Sequence, residues 1–199
     1  MGKLNYNEEN LDGFIDSMLS KYTELLENGI PKAYALYKES RDSFLRGDLA
    51  RAEKIKRLNY FLHNSEIPYT ADIGKNTVFA YGGIGVIIHA NALIGERANI
   101  GSNVTIGGDR VGVPTVGNDV FFSSGCKVIG NITINHGAII GANSVVLTNV
   151  SAFEIVAGSP ARVVGMVTRN NFERYSGYYW CKGNIGGEAR FLDWYFPQT

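Results

Sequence analysis

Residues 86–107 read VIIHANALIGERANIGSNVTIG, and a large apolar side chain returns at every sixth place: Ile88, Ile94, Ile100 and Ile106. Four places after the first three stand the small or short-branched Ala92, Ala98 and Val104. The same step runs back through Ile67, Ile73 and Phe79, with Ala71, Thr77 and Gly83 at the small position. After one interruption it runs forward through Val116, Phe122, Val128, Ile134, Ile140 and Val146. There the small positions are Val120, Cys126, Ile132, Ala138, Ser144 and Val150. A six-residue period matches neither a helix nor an ordinary strand. It fits a parallel β-helix, in which each repeat supplies one short strand and one corner. The large residue points inward and stacks on the coil below, and the small one fills the corner. Gly, Asn and Asp in GERAN, GSN and GND let the backbone turn. The expected fold class is mainly β, a parallel β-helix over residues 65–167 that needs several coils and capped ends.

Working outward, residues 1–64 read as helical. Leu11, Phe14, Ile15, Met18, Leu19, Tyr22, Leu25 and Leu26 keep helical spacing, and Gly29 ends that run. Pro31 suits the first turn of a second helix near residues 32–45. Asp48 can cap a third helix, with Ile55, Leu58 and Leu62 on one face. Beyond the repeat, AGSPARVVG (157–165) turns the chain out of the solenoid. The tail, residues 168–199, reads as irregular and aromatic, with Tyr175, Tyr178, Tyr179, Trp180, Trp194, Tyr195 and Phe196. Such a tail is expected to pack on the solenoid or on a neighbouring subunit.

Composition removes several partners. Nineteen basic and nineteen acidic residues balance, with no basic stripe, so nucleic acid is not expected. No apolar run approaches a membrane span, and MGKLNYNEENLDG has no signal-peptide core. Two cysteines give no disulfide framework, and cytoplasm is the expected location.

The repeat is interrupted twice. AYGGIGVIIH, between Phe79 and Ile88, runs three residues beyond the step, and GGDRVGVPT, between Ile106 and Val116, runs four beyond it. Loops on a rigid scaffold carry function, and their glycines admit close approach of a ligand. His89 follows core residue Ile88 and precedes Gly107 by eighteen residues, three repeats. If three hexapeptides make one turn, His89 lies below the start of the second insertion. Of the other two histidines, His63 precedes the coils and His136 sits at a distant corner. Neither forms a ligand-like pair with His89, so no metal site is expected.

The segments YGGIGVIIHANALIGERANIGSNVTIGG, VPTVGNDVFFSSGCKVIGNITINHGAIIGANSVVLTNV and AGSPARVVG resemble the hexapeptide-repeat acyltransferase family. The resemblance covers residues 65–167, and the nearest branch is the serine O-acetyltransferase-like proteins, which include acetyltransferases of bacterial surface sugars. It implies a left-handed β-helix, a homotrimer and acetyl-coenzyme A as donor, with no metal. Where serine acetyltransferases have DHATG, this chain has AYGGIG: Ala80 replaces the Asp and Tyr81 the His. Val111 stands where a second family His follows GGDR. Glu66 aligns with the carboxylate that orients the catalytic His. The GVIIHANALIG pattern resembles the sugar-modifying branch, with His89 as the base. Gly107, Gly108, Ser124 and Ala142 match positions lining the coenzyme groove, and Arg162 matches a basic residue near its phosphates.

These readings combine into an acetyl-coenzyme A-dependent O-acetyltransferase acting on a saccharide hydroxyl. Imidazole suits the general base because it titrates near neutrality. Backbone N–H groups at Gly107 and Gly108 would stabilise the developing oxyanion. Glu66 or Asp109 could fix the imidazole tautomer, and Tyr81 and Arg110 could contact the acceptor. Rival readings are serine O-acetyltransferase, N-acetylation of an amino-sugar nucleotide, and a non-enzymatic solenoid scaffold.

Overall fold

A computed structural model describes residues 11–197. The chain divides into two compact units, residues 1–31 and 32–199. In the first, helix α1 (Leu11–Asn28) carries the amphipathic run, and Gly29 ends it with φ +79°. The side chains of Leu25 and Leu26, placed on that run, lie outside the described part of the helix.

The second unit is the expected left-handed parallel β-helix with its caps. Its strands are β1 (Asp72–Ile73), β2 (Val78–Phe79), β3 (Ile87–Ile88), β4 (Leu93–Ile94), β5 (Asn99–Ile100), β6 (Thr105–Gly107) and β7 (Thr115–Val116). Further on come β8 (Phe121–Phe122), β9 (Lys127–Ile129), β10 (Thr133–Ile134), β11 (Ile139–Ile140) and β12 (Val145–Val146). A first face stacks β1-β4-β7-β10, a second β2-β5-β8-β11, and a third β3-β6-β9-β12. Ile88 pairs with Ile106 and Ile106 with Val128, so one turn is three repeats wherever the step is regular. Every large residue of the six-residue series is buried, and so is every small residue four places later.

Helix α2 (Ala33–Leu45) closes the start of the coil. The buried Tyr37 hydroxyl donates to Ala71 O at 2.9 Å and accepts from Ile73 N at 3.1 Å. Burial pushes that phenol up to about 12, so it stays a donor at working pH. Lys32 is the N-cap, which puts Pro31 just before the helix rather than in its first turn. Asp48 caps α3 (Leu49–His63) as expected, accepting from Arg51 N at 3.0 Å. The buried face of α3, however, is Ala52, Asn59 and His63, and Leu58 is exposed. α3 meets α2 through small and polar groups: Ser40 Oγ donates to Ala52 O and Asn59 Nδ2 to Ala33 O.

At the far end, β13 (Glu154–Gly158) continues the second face and turns back as antiparallel β14 (Ala161–Met166). The tail is less irregular than its sequence reads: it forms α4 (Phe172–Tyr175) and α5 (Ile185–Tyr195). Phe172, Tyr179 and Phe191 are buried with Ile139 and Phe153, and Phe121 and Ile155 pack against them. The tail therefore lies on its own solenoid, over the outward apolar residues of the second face.

Candidate active site

Register fixes what stands near His89. Its amide donates to Ile106 O at 2.8 Å, which sets it one coil below Gly107 at the corner between the third and first faces. A Cβ on Gly108 would lie 3.3 Å from His89 Cδ2, 2.8 Å from Val113 Cγ1 and 2.9 Å from Gly112 O. Only glycine allows the second insertion to fold back over the imidazole here. The loop holds itself: Asp109 Oδ1 accepts from Val111 N at 2.7 Å and Gly112 N at 2.9 Å. Those bonds, led by the one from Gly112, lower the Asp109 pKa. Arg110 and Val111 project into solvent.

Neither carboxylate proposed to orient the ring reaches it. Asp109 is taken up by its own loop, and Glu66 pairs with Lys56 Nζ at 2.9 Å. The tautomer is set instead by the backbone: Asn91 N donates to His89 Nδ1 at 3.1 Å. A neutral ring in that contact holds its proton on Nε2 and its lone pair on Nδ1. Sequence motifs report side chains, so this main-chain partner gave no signal beyond its place in a tight corner.

The first insertion lies at the other edge of the third face. Tyr81, Gly82, Gly83 and Gly85 all have positive φ there. A Cβ on Gly83 would meet Ala33 Cβ at 2.5 Å, so the loop is wedged against the start of α2. Ser65 Oγ donates to Gly83 O at 2.5 Å and Gly85 N to His63 O at 3.0 Å. Tyr81 is left exposed. In register above it come Ser102, Ser124 and Ala142, with a 3.1 Å bond between the two serine hydroxyls. The two insertions thus flank one face from opposite corners rather than projecting from one region. His89, Gly107, Gly108, Asp109 and Arg110 form one group, and Tyr81, Ser124 and Ala142 the other.

Arg162 lies past the last coil, exposed, on the rim of a cavity of ≈ 320 Å³ with Val146, Thr148, Asn149, Val150, Val156, Ala161 and Val163. The edge carrying Ser124 and Ala142 is a row of short side chains stepping about 4.8 Å per coil. Such a rail suits a thin extended chain, and Arg162 a phosphate at its end, so these residues fit coenzyme A. Burial pushes Cys126 up to about 12 and Cys181 up to about 11, which keeps both thiols protonated. No three His, Cys, Asp or Glu side chains converge among the described residues. No described helix is long and apolar enough to cross a membrane.

No protein-family model matches the chain. The serine acetyltransferase of Staphylococcus xylosus is 36% identical over 136 residues, 66% of this chain and 59% of that one. The serine acetyltransferase of Staphylococcus aureus strain Mu50 is 38% identical over 117 residues, 57% of this chain and 54% of that one. Among solved structures, a serine acetyltransferase in complex with CoA gives a TM-score of 0.62 at 30% identity, covering 66% of this chain and 55% of that one. A soybean serine acetyltransferase complexed with serine gives 0.62 at 31%, covering 66% and 56%. The matches thus span little more than half the length of these relatives. Over the matched residues, repeat and coil resemble those of the hexapeptide-repeat, left-handed β-helix acyltransferases, and the chain is similar to serine acetyltransferases.

Proposed function

We propose that this protein transfers an acetyl group from acetyl-coenzyme A to a hydroxyl, in its 65–167 domain, with His89 as general base. The observation that carries the reading is the His89 ring held against Gly108, at an accessible corner, on a fold shared with acetyltransferases. The coenzyme supplies the acetyl thioester; Ser124, Ala142 and Arg162 would hold it along the edge described above. His89 Nδ1 carries the lone pair, so an acceptor hydroxyl takes the place of the Asn91 amide and gives its proton there as its oxygen attacks the thioester carbonyl; the C–S bond then breaks, and the imidazolium returns the proton to the departing coenzyme A thiolate. The Asn91 corner is exposed, and water can then satisfy that amide. Backbone N–H groups at Gly107 and Gly108 stabilise the negative charge developing on the carbonyl oxygen. Arg110 and Tyr81 contact the acceptor. Such chemistry belongs in the cytoplasm, where the thioester donor is made.

Serine is the acceptor that the named relatives support best. A saccharide hydroxyl is the second reading, favoured by Ala80, Tyr81 and Val111 at the three positions where the resemblance expects Asp, His and His. Measuring kcat/KM for serine, oligosaccharides and amino-sugar nucleotides decides between them. The expected result is coenzyme-dependent turnover with serine ahead. Oligosaccharides ahead would move the acceptor to the second reading, and no coenzyme A release with any acceptor would remove the enzymatic reading.

The groove belongs between subunits of a homotrimer. The tail covers the second face, and the two residue groups sit on opposite edges of the third. A groove holding both therefore needs the third–first corner of one subunit against the second–third corner of the next, and cyclic symmetry repeats that contact. Light scattering should give three times the 21.8 kDa chain mass. A monomer with full activity would show that the groove closes within one chain.

A further inference from the structure

The corner between the first and second faces carries a group that acetyl transfer does not use. Arg97 and Asp119 occupy equivalent positions on consecutive coils, both at positive φ. The Arg97 guanidinium donates twice to Asp119, from Nε to Oδ1 and from Nη2 to Oδ2, each at 2.8 Å. The Asp119 side chain has 0% exposure and that of Arg97 16%. The Tyr195 hydroxyl donates to the same carboxylate and ties down α5. Desolvation, the largest cause, raises the Tyr195 pKa, so the phenol stays protonated and keeps donating. Above this clamp lies an indole: Arg97 Cζ is 5.7 Å from the Trp194 ring. Trp180 is 6.1 Å from Trp194, inclined at 44°. The two rings remain 39% and 55% exposed.

A buried ion pair thus lies against Trp194, and Trp180 packs beside that ring at the surface. We infer that this pair of tryptophans is a binding platform for a pyranose ring of a saccharide. The rings offer two flat, inclined π faces, which stack on the C–H face of a sugar. Arg97 is paired with Asp119 and Glu96, Lys75 with Glu96 and Arg169 with Asp193. A hydroxyl-rich ligand can hydrogen-bond to the paired carboxylates at the rim. The clamp fixes Trp194 before any ligand arrives, which lowers the ordering penalty of binding. The platform is on the corner away from His89, and it stands whichever hydroxyl receives the acetyl group.

The chain has two tryptophans and both are in the platform, so its intrinsic tryptophan emission reports this site alone. Titration of the full chain with maltotetraose, cellotetraose, xylotetraose and chitotetraose should give saturable quenching with at least one sugar. Saturation-transfer NMR with that sugar should show about tenfold weaker binding in Trp194→Ala and Trp180→Ala, one stacked ring being worth about that factor. Trp194→Phe and Trp180→Phe retain a stacking face and the fold, and should lose less. No response to any of the four sugars, or alanine variants that bind as tightly as the parent, would overturn the assignment. So would a drop in oligomeric mass on substitution, which would make the pair a contact between copies of the chain.

Discussion

His89→Ala is expected to lower acetyl transfer by about 10²–10⁴-fold, the range a positioned general base contributes, while coenzyme A affinity and fold persist. The ring is half-buried at a corner and is not one of the stacked core residues. Its backbone bond to Ile106 O does not depend on the side chain. Loss of the ring removes the lone pair now facing Asn91 N and leaves the coil intact. His89→Gln adds a sharper arm, because an amide can donate a hydrogen bond but cannot take up a proton. Gln should be nearly as inactive as Ala. If Gln restores most of the rate, the ring acts by donating from Nε2 and not as a base. Turnover of the Ala variant within a few-fold of the parent would remove His89 from the reaction.

The solenoid is readable in the sequence because it is local and repetitive. Ile88, Ile106 and Val128 meet their own equivalents one coil away, so the packing rule recurs at a fixed spacing. The same regularity places His89 under Gly107. The site's finer geometry is less readable because it depends on main-chain groups and on corners far apart in sequence. Nothing in the letters of Asn91 says that its amide would fix the imidazole, and Glu66 is drawn away by Lys56, a residue on α3. The tail escapes for a different reason. Phe172, Tyr179 and Phe191 follow no period, so their partners must be sought on the solenoid. A signal was present: the outward positions on the last three coils of the second face are Phe121, Ile139 and Ile155, whereas the first face carries Asp72, Leu93, Thr115 and Thr133. A face apolar on both sides asks for a cover. Likewise Arg97 and Asp119, twenty-two residues apart at matching corner positions, foretell an ion pair only once the coil length is known.

The clamp itself gives the second large effect. Asp119→Ala should destabilise the protein by about 3–5 kcal/mol, the usual result of deleting one partner from a buried pair. The bonds that Arg97 donates to Asp119 raise its pKa further, so the guanidinium remains charged at any working pH. Without Asp119 it is a mostly buried cation short of two acceptors, and Tyr195 loses its own acceptor at the same moment. Glu96 still accepts from Arg97 Nη1 at 2.7 Å, which sets the loss toward the lower end of that range. Asp119→Asn keeps the volume and an acceptor oxygen for Tyr195 while removing the charge, so it should fall between the parent and Ala. The measurement is the urea midpoint, with limited proteolysis to follow the tail. Cleavage should begin within residues 168–197 in the Ala variant, since the Arg97–Asp119–Tyr195 bonds anchor α5 to the coil. Coenzyme A affinity should survive, because the clamp stands on a different corner from Ser124 and Ala142. An unchanged midpoint and an uncut tail would mean that aromatic packing of Phe172, Tyr179 and Phe191 holds the tail alone, and that the ion pair contributes no net stability.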